Sequence, residues 1–328
     1  MKRVSKQEVK KLLQLIEVSN NIFITGHIRP DSDVVGSALA LFLAIRKLYS
    51  KKNIDIYFYD EVPYWLRFLP AFEKIKITKE IKKNYELGII LECSDISRTG
   101  GIINGLKNVK FVNIDHHYTN HLDFSSYLNI IKPEYASCAE IIFDIFKLAK
   151  IEINKNIAMC LYSGLVTDTG MFQWSNTNEH SFYTAMNLVS CGVEPYKIYK
   201  NLYAQKSYNG MLLLSKVLST LELIKIRNYT IATMFMTKKM LSSTKANYQD
   251  AEDFINFPMT INGVSVAIFF KEEDINTTKV SFRSDFVDVE KIARRWGGGG
   301  HKYASGVTVY KNLKDVKSIV IKYLKETL

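Results

Sequence analysis

Cysteine is scarce. Four residues, Cys93, Cys138, Cys160 and Cys191, are scattered through 328 positions without a CxxC pair. That spacing excludes a disulfide framework and a thiolate zinc cluster, so the four read as reduced thiols. Long apolar runs are also missing: the longest, Ala38 to Ile45, falls far below the roughly 20 residues of a membrane span. The opening Met-Lys-Arg-Val-Ser-Lys is charged, and Leu12 to Ile16 is too short for the apolar core of a signal peptide. A cytoplasmic protein without a membrane partner is expected. There is no internal repeat, and glycines 297–300 form the one low-complexity stretch.

Histidine numbers only six, which makes its placement informative. Three of the six lie in 113–121, Asn-Ile-Asp115-His116-His117-Tyr-Thr-Asn-His121, directly after the apolar stretch Lys110–Ile114. Another, His27, opens a second acidic cluster with Asp31 and Asp33 after an apolar strand.

The chain is too long for one ordinary core, and its 47% hydrophobic content supports full folding, so two domains are expected. Lys and Arg exceed Asp and Glu by 11. The excess favours anionic partners such as nucleotides or nucleic acid. No single basic block stands out, so a lysine-rich solvated surface is the alternative.

Apolar spacing predicts a helix over 6–20, a buried strand at 21–25, a helix over 35–48 and a strand at 54–59. Strands at 87–91 and 110–114 and helices at 137–148 and 155–166 continue an α/β pattern with a mostly parallel sheet. In such sheets ligands gather beyond the strands' carboxyl ends. The loops 26–33, 92–98, 115–120 and 167–170 are therefore expected to converge on one crevice. Helices follow from 178 to about 220, with the domain boundary between 190 and 222. A second, smaller α/β unit is expected, with strands at 221–226, 230–236, 264–270, 278–282 and 307–310. Helices at 289–296 and from 313 complete it. The expected division is 1–195, a helical linker 196–220, and 221–328.

His27, Asp31 and Asp33 offer three hard or borderline ligands within seven residues, a set suited to Mn²⁺ or Mg²⁺ more than to structural zinc. An Asp N-cap beside a surface histidine is the plainer alternative. Asp115-His116-His117 reads as a metal loop, or as an inward histidine whose tautomer Asp115 fixes. Asp168, in Thr167-Asp-Thr-Gly170, is a ligand candidate or an ordinary helix-end turn. Glycines 297–300 before His301 read as an ordered loop able to approach an anion closely. Arg283-Ser284 adds a donor suited to phosphate.

Taken together, Gly26 to Ser37, Glu92 to Arg98, Asp115-His-His117, Thr167 to Gly170, Ser281 to Ser284 and Gly297 to His301 resemble the DHH phosphoesterase family with its DHH-associated C-terminal domain. The resemblance covers nearly the whole chain. It implies a Rossmann-like metal-binding domain linked by helices to a substrate-binding α/β domain. It further implies two Mn²⁺ ions, with Mg²⁺ or Co²⁺ as alternatives. His27 and Asp31 would bind one ion, Asp33, His116 and Asp168 the other, and Glu92 would bridge. His117, with Asp115, would act at the scissile phosphate. Arg283, Ser284, Gly298, Gly299, Gly300 and His301 would grip the substrate from the second domain. The chemistry implied is metal-assisted hydrolysis, in which paired cations activate water and stabilise the attacking and leaving oxygens.

One position departs from the family pattern: Glu92 stands where Asp is usual. Glu92 bridges with an adjusted backbone, or the ions bind less evenly, or activity is altered; the first is expected, because Asp95 lies beyond the strand. The compact length resembles the branch that acts on short substrates: oligoribonucleotides of a few residues, pApA, cyclic di-AMP or pAp. A family II pyrophosphatase is the enzymatic alternative, against which the Gly297–His301 segment argues. A nucleotide-binding sensor without turnover is the other. Relatives of this kind are often homodimers.

Overall fold

A computed structural model describes residues 3–93, 95–117 and 127–328, with residue 301 described by its backbone alone. The chain divides into two compact units, Met1–Gln205 and Lys206–Leu328.

The first unit opens with α1 (Lys6–Val18), whose N-terminus is closed by a reciprocal Ser5–Glu8 capping box. Val9, Leu12, Leu15 and Ile16 recur at helical spacing and are buried, so this helix packs by one apolar face. It is followed by β1 (Asn21–Thr25), α2 (Ser32–Leu48), β2 (Asn53–Phe58), β3 (Ile75–Ile77), β4 (Leu87–Leu91), β5 (Lys110–Asp115) and β6 (Leu128–Ile131). Helices α3 (Cys138–Leu148), α4 (Lys155–Asp168), α5 (Glu179–Ser190) and α6 (Pro195–Leu202) complete the unit. Its sheet is six-stranded in the order β3-β2-β1-β4-β5-β6, and every pairing is parallel. Strands covered on both faces must be apolar throughout, and β4 is buried at all five positions. The edge strands β3 and β6 were not expected from the sequence.

The chain leaves β1 through α2 to reach β2 on one side, whereas β4 lies on the other side and leads away to β5. The carboxyl ends of β1 and β4 thus flank a reversal of strand order, where open α/β sheets form a crevice. His27 follows β1 and Glu92 follows β4.

The second unit contains α7 (Tyr208–Leu218), β7 (Glu222–Ile226), β8 (Tyr229–Met236), α8 (Lys238–Thr244), β9 (Val266–Asp274), β10 (Thr277–Ser284), α9 (Val289–Arg294), β11 (Gly299–His301), β12 (Ala304–Val309) and α10 (Leu313–Thr327). Its sheet runs β11-β12-β10-β9-β8-β7, with β8 and β9 parallel and the other pairs antiparallel. One face packs Ile268, Val280, Phe282 and Val307 against α9 and α10. Part of the other face packs Met234, Met236, Ala267 and Phe269 against α7 and Phe254. The glycine run is not a loose link: Gly299 and Gly300 pair with Gly306 and Ser305 as an edge strand. β12 consequently begins at Ala304, three residues before the expected Val307. Among the described residues no helix is long and apolar enough to cross a membrane.

Candidate metal centre

Asp31 is the N-cap of α2 and accepts the N–H groups of Asp33 and Val34 at 3.1 Å each, an arrangement that satisfies the first-turn amides. Its other oxygen lies 3.4 Å from His27 Nε2. The same nitrogen lies 3.6 Å from Glu92 Oε2, while Nδ1 is 2.8 Å from the Ile28 carbonyl. The β1 and β4 loops are tied by the Ile28 N–H, which donates to the Arg98 carbonyl at 2.6 Å.

Asp33 is fully buried and sits against the N-terminus of α3. Its carboxylate accepts the N–H groups of Cys138 at 2.6 Å and Ala139 at 3.0 Å. Space for it comes from α4, where a Cβ on Gly164 would stand 2.4 Å from Asp33 Oδ1. One turn along the same seam, a Cβ on Gly36 of α2 would meet the Cys160 carbonyl at 2.3 Å. The two helices therefore run antiparallel in backbone-close contact, joining the first turn of α2 to the last turn of α4. That last turn carries Asp168, whose Oδ2 lies 3.1 Å from His116 Nε2. This is ion-pair contact without the alignment of a hydrogen bond.

The carboxylate of Asp115, fully buried, accepts both the backbone N–H and Nδ1 of His117 on the same oxygen at 2.8 Å. The imidazoles of His116 and His117 lie with centroids 4.4 Å apart. Residues 118–120 of the expected 115–120 loop, and His121, lie outside the described residues, as does Ser94 of the Glu92 segment.

Donor atoms of His27, Asp31 and Glu92 form one group within 4.8 Å of one another, and those of Asp33, Glu92 and His116 form a second. Glu92 is common to both. Its backbone has φ 56°, the left-handed region that a non-glycine residue enters at a cost. The side chain is 1% exposed, and Oε1 has no hydrogen-bond partner. Asp115 Oδ2 is likewise buried and unpartnered.

So many carboxylates in one buried place disturb one another. Burial, and then the Asp33 and Asp31 carboxylates, push Glu92 well above the usual range. Burial and Asp168 push Asp33 up to about 7. Burial opposes charge on His116, yet Asp168 lifts it to about 9. Burial likewise opposes charge on His27, and Asp31 outweighs it. Beyond the imidazoles, the positive charge felt at His27 is that of Arg98, which opposes charge on that ring.

In the second unit the expected residues divide. Arg283 is on the sheet face that also carries Lys279 and Ser281, the alternate residues of β10. Ser284 is on the opposite face, 5% exposed. Its hydroxyl donates to the Ser265 carbonyl at 2.7 Å and accepts the N–H groups of Phe286 and Val287. It holds the turn after β10 and does not stand beside Arg283. The Gly298 N–H donates to the Ala293 carbonyl at 3.0 Å, closing the end of α9, so that amide is committed to the fold. Gly299 and Gly300 remain on the edge strand, and the side chain of His301 lies outside the described residues. Lys271 and Lys279 were not singled out from the sequence, whereas Ser281 opens one of the segments that carry the resemblance. The signal available was the two-residue period of β10 through Arg283.

A parallel α/β domain with histidines and carboxylates gathered at its switch point, followed by a second mixed-sheet domain, defines a class of phosphoester hydrolases. Residues 21–165 match the DHH family, N-terminal domain, and residues 228–326 match the DHHA1 domain. The chain belongs to the DHH family and carries a DHHA1 domain after its DHH domain. It is similar to the bifunctional oligoribonuclease and PAP phosphatase NrnA of Thermus thermophilus, 29% identical over 92% of this chain and 87% of that protein. The Bacillus subtilis protein of the same name is 26% identical over 92% of this chain and 93% of its own length. In fold it resembles the crystal structure of an exopolyphosphatase-related protein from Bacteroides fragilis. The TM-score is 0.89 at 24% identity, covering 99% of this chain and 97% of the other.

Proposed function

We propose that this chain is a divalent-metal-dependent phosphodiesterase that cleaves short nucleotides to mononucleotides. Oligoribonucleotides of a few residues, pApA, pAp and cyclic di-AMP are the candidate substrates. The observation that carries the proposal is the pair of ligand groups that share Glu92. The unpartnered buried oxygens of Glu92 and Asp115 fit such a centre, since buried carboxylate oxygens are otherwise paired or bound to metal. The names of the NrnA relatives support the substrate class.

His27, Asp31 and Glu92 would hold one ion, and Asp33, Glu92, His116 and Asp168 the other. Carboxylate-rich donors with some imidazole and no thiolate favour Mn²⁺, with Mg²⁺ or Co²⁺ as alternatives. Bound there, the ions supply Lewis-acid polarisation of phosphoryl oxygen and a more acidic water. The residues do the rest. Asp115, an acceptor, requires a proton on His117 Nδ1 and so fixes the ring's tautomer and aim, leaving Nε2 as the nitrogen directed toward a phosphoryl oxygen. The Asp33 carboxylate, braced by two α3 amides, keeps its orientation without moving when charge arrives. Arg283 offers a planar donor to phosphate.

Incubation with Mn²⁺ and, separately, pApA, pAp, cyclic di-AMP, a short RNA and pyrophosphate tests the proposal. Release of mononucleotide from at least one nucleotide is expected. Release from none of them refutes it, and hydrolysis of pyrophosphate alone replaces it with the pyrophosphatase alternative.

A further inference from the structure

Directly beyond Asp168 the backbone takes a costly course. Helix α4 is closed by two bonds: the Gly170 N–H donates to the Thr167 carbonyl at 3.1 Å and the Met171 N–H to the Val166 carbonyl at 2.7 Å. Such a helix end needs one left-handed residue, and Gly170 supplies it. Here the left-handed conformation continues through Gly170, Met171 and Phe172, at φ 55°, 57° and 65°. Two of the three carry a Cβ that disfavours this region. Strain of this kind persists only where the surroundings over-determine it.

The contacts that do so are local. The Gln173 and Trp174 N–H groups both donate to the Thr169 carbonyl at 3.0 Å. The Thr169 hydroxyl accepts the Phe172 N–H at 3.2 Å. The Phe172 ring stacks on Phe182 of α5 with centroids 5.2 Å apart, and the Trp174 indole rests on Gly170, where a Cβ would stand 2.4 Å from it. The turn reverses the chain and returns Asn176 to the end of α4. The side-chain amide of Asn176 donates to the Asp168 carbonyl at 2.7 Å and to the Ala136 carbonyl at 3.2 Å. An amide nitrogen carries two hydrogens, and both are used to join two separate segments.

The second segment leads to Asp33. The Ala136 N–H donates to Glu140 Oε2 at 2.8 Å, so this residue is held at its amide as well as at its carbonyl. Ser137, next in the chain, caps α3. The following two amides, of Cys138 and Ala139, are those that the Asp33 carboxylate accepts. Asn176 thus ties the backbone that carries Asp168 to the backbone that orients Asp33. When both are ionised these carboxylates repel each other, and the tie opposes their separation.

We infer that Asn176 is a positioning residue for the ligand group of Asp33, Glu92, His116 and Asp168. It fixes the end of α4 against the N-terminus of α3, and the left-handed turn delivers its amide to that place. The role in ion binding rests on the proposed function.

The test uses the full chain. Mn²⁺ binding to the wild type and to Asn176→Ala is followed by calorimetry without substrate, and melts are recorded without metal. The wild type should show two binding steps. Asn176→Ala should weaken one step by about tenfold, the scale of two lost hydrogen bonds, and leave the other within about twofold. In turnover, kcat should fall with KM little changed. Asn176→Ser, which keeps one donor, should show the same pattern to a smaller degree and supplies the measurement should the alanine variant fold poorly. A lower melting temperature with both Mn²⁺ steps unchanged would mark a purely structural residue and overturn the inference, as would equal weakening of both steps. If the wild type binds no Mn²⁺, the metal reading itself fails, and amide hydrogen exchange decides the tie. Protection lost selectively at Cys138 and Ala139 in Asn176→Ala upholds its hold on Asp33; unchanged protection overturns it.

Discussion

A Cβ added to Gly164 would stand 2.4 Å from Asp33 Oδ1, closer than any non-bonded carbon and oxygen tolerate. The absence of a side chain on α4 therefore makes room for a carboxylate on α2. Gly164→Ala gains about 1 kcal/mol of helix propensity but overpacks the seam, at roughly 1–3 kcal/mol. It should also push Asp33 away from the Cys138 and Ala139 amides. The expected result is a small loss of stability in denaturant melts together with a Mn²⁺ affinity lower by about tenfold. Mn²⁺ affinity equal to wild type would show that the seam does not hold Asp33.

Glu92→Asp shortens the bridging side chain by about one carbon–carbon bond, roughly 1.5 Å. Metal affinity should fall by about tenfold, and turnover with it. A metal titration and a steady-state assay check this, and no change in either removes Glu92 from the bridge.

The two faces of β10 give opposite expectations for adjacent residues. Ser284→Ala removes a hydroxyl bonded to Ser265, Phe286 and Val287, so stability should fall by about 1–3 kcal/mol with KM little changed. Arg283→Ala should raise KM with little change in the melting curve. Reversed outcomes would place Ser284 at the substrate after all.

Asp55 accepts from Lys76 at 2.7 Å, Lys83 at 3.0 Å and the Tyr85 hydroxyl at 2.6 Å. Although burial opposes it, these donors bring its pKa down to about 2 from an ordinary 3.8. Because the folded value is the lower, the stabilisation is complete above the unfolded pKa and is lost as pH falls from near 4 through 2. Allowing for solvent screening at a partly exposed site, it amounts to about 1 kcal/mol. Asp55→Asn should lose this at pH 7 and should flatten the acid limb of the stability curve. A full-size acid transition in the variant would assign that limb to other carboxylates.

The first domain was legible because its central strands are buried on both faces and so read as unbroken apolar runs, with the rare histidines placed where those runs end. Proximity of His27, Asp31, Asp33, Glu92 and His116 follows from strand order, whereas Asp168 is brought in by the packing of α4 against α2. The edge strands Ile75–Ile77 and Leu128–Ile131 were missed because short, half-covered strands carry little apolar signal. Arg283 and Ser284 were read together because the strand was expected to end at Phe282; β10 runs on to Ser284, and a strand turns neighbours to opposite faces. Lys271, followed by Glu272, Glu273 and Asp274, looks like one of a run of solvated charges. Its burial depends on Tyr248 and on Phe269, and the first of these is distant in sequence.

The seam between α2 and α4 also bears on how such a protein can change. Gly36 and Gly164 touch no phosphate and hold no ion in the arrangement proposed, yet they determine how far Asp33 stands from Asp168. A substitution at either would shift Asp33, a proposed donor, against the other carboxylates and imidazoles without removing any donor atom. If the proposed ions bind there, their choice would be adjustable from the helix backbones, where a search confined to coordinating residues would find nothing altered.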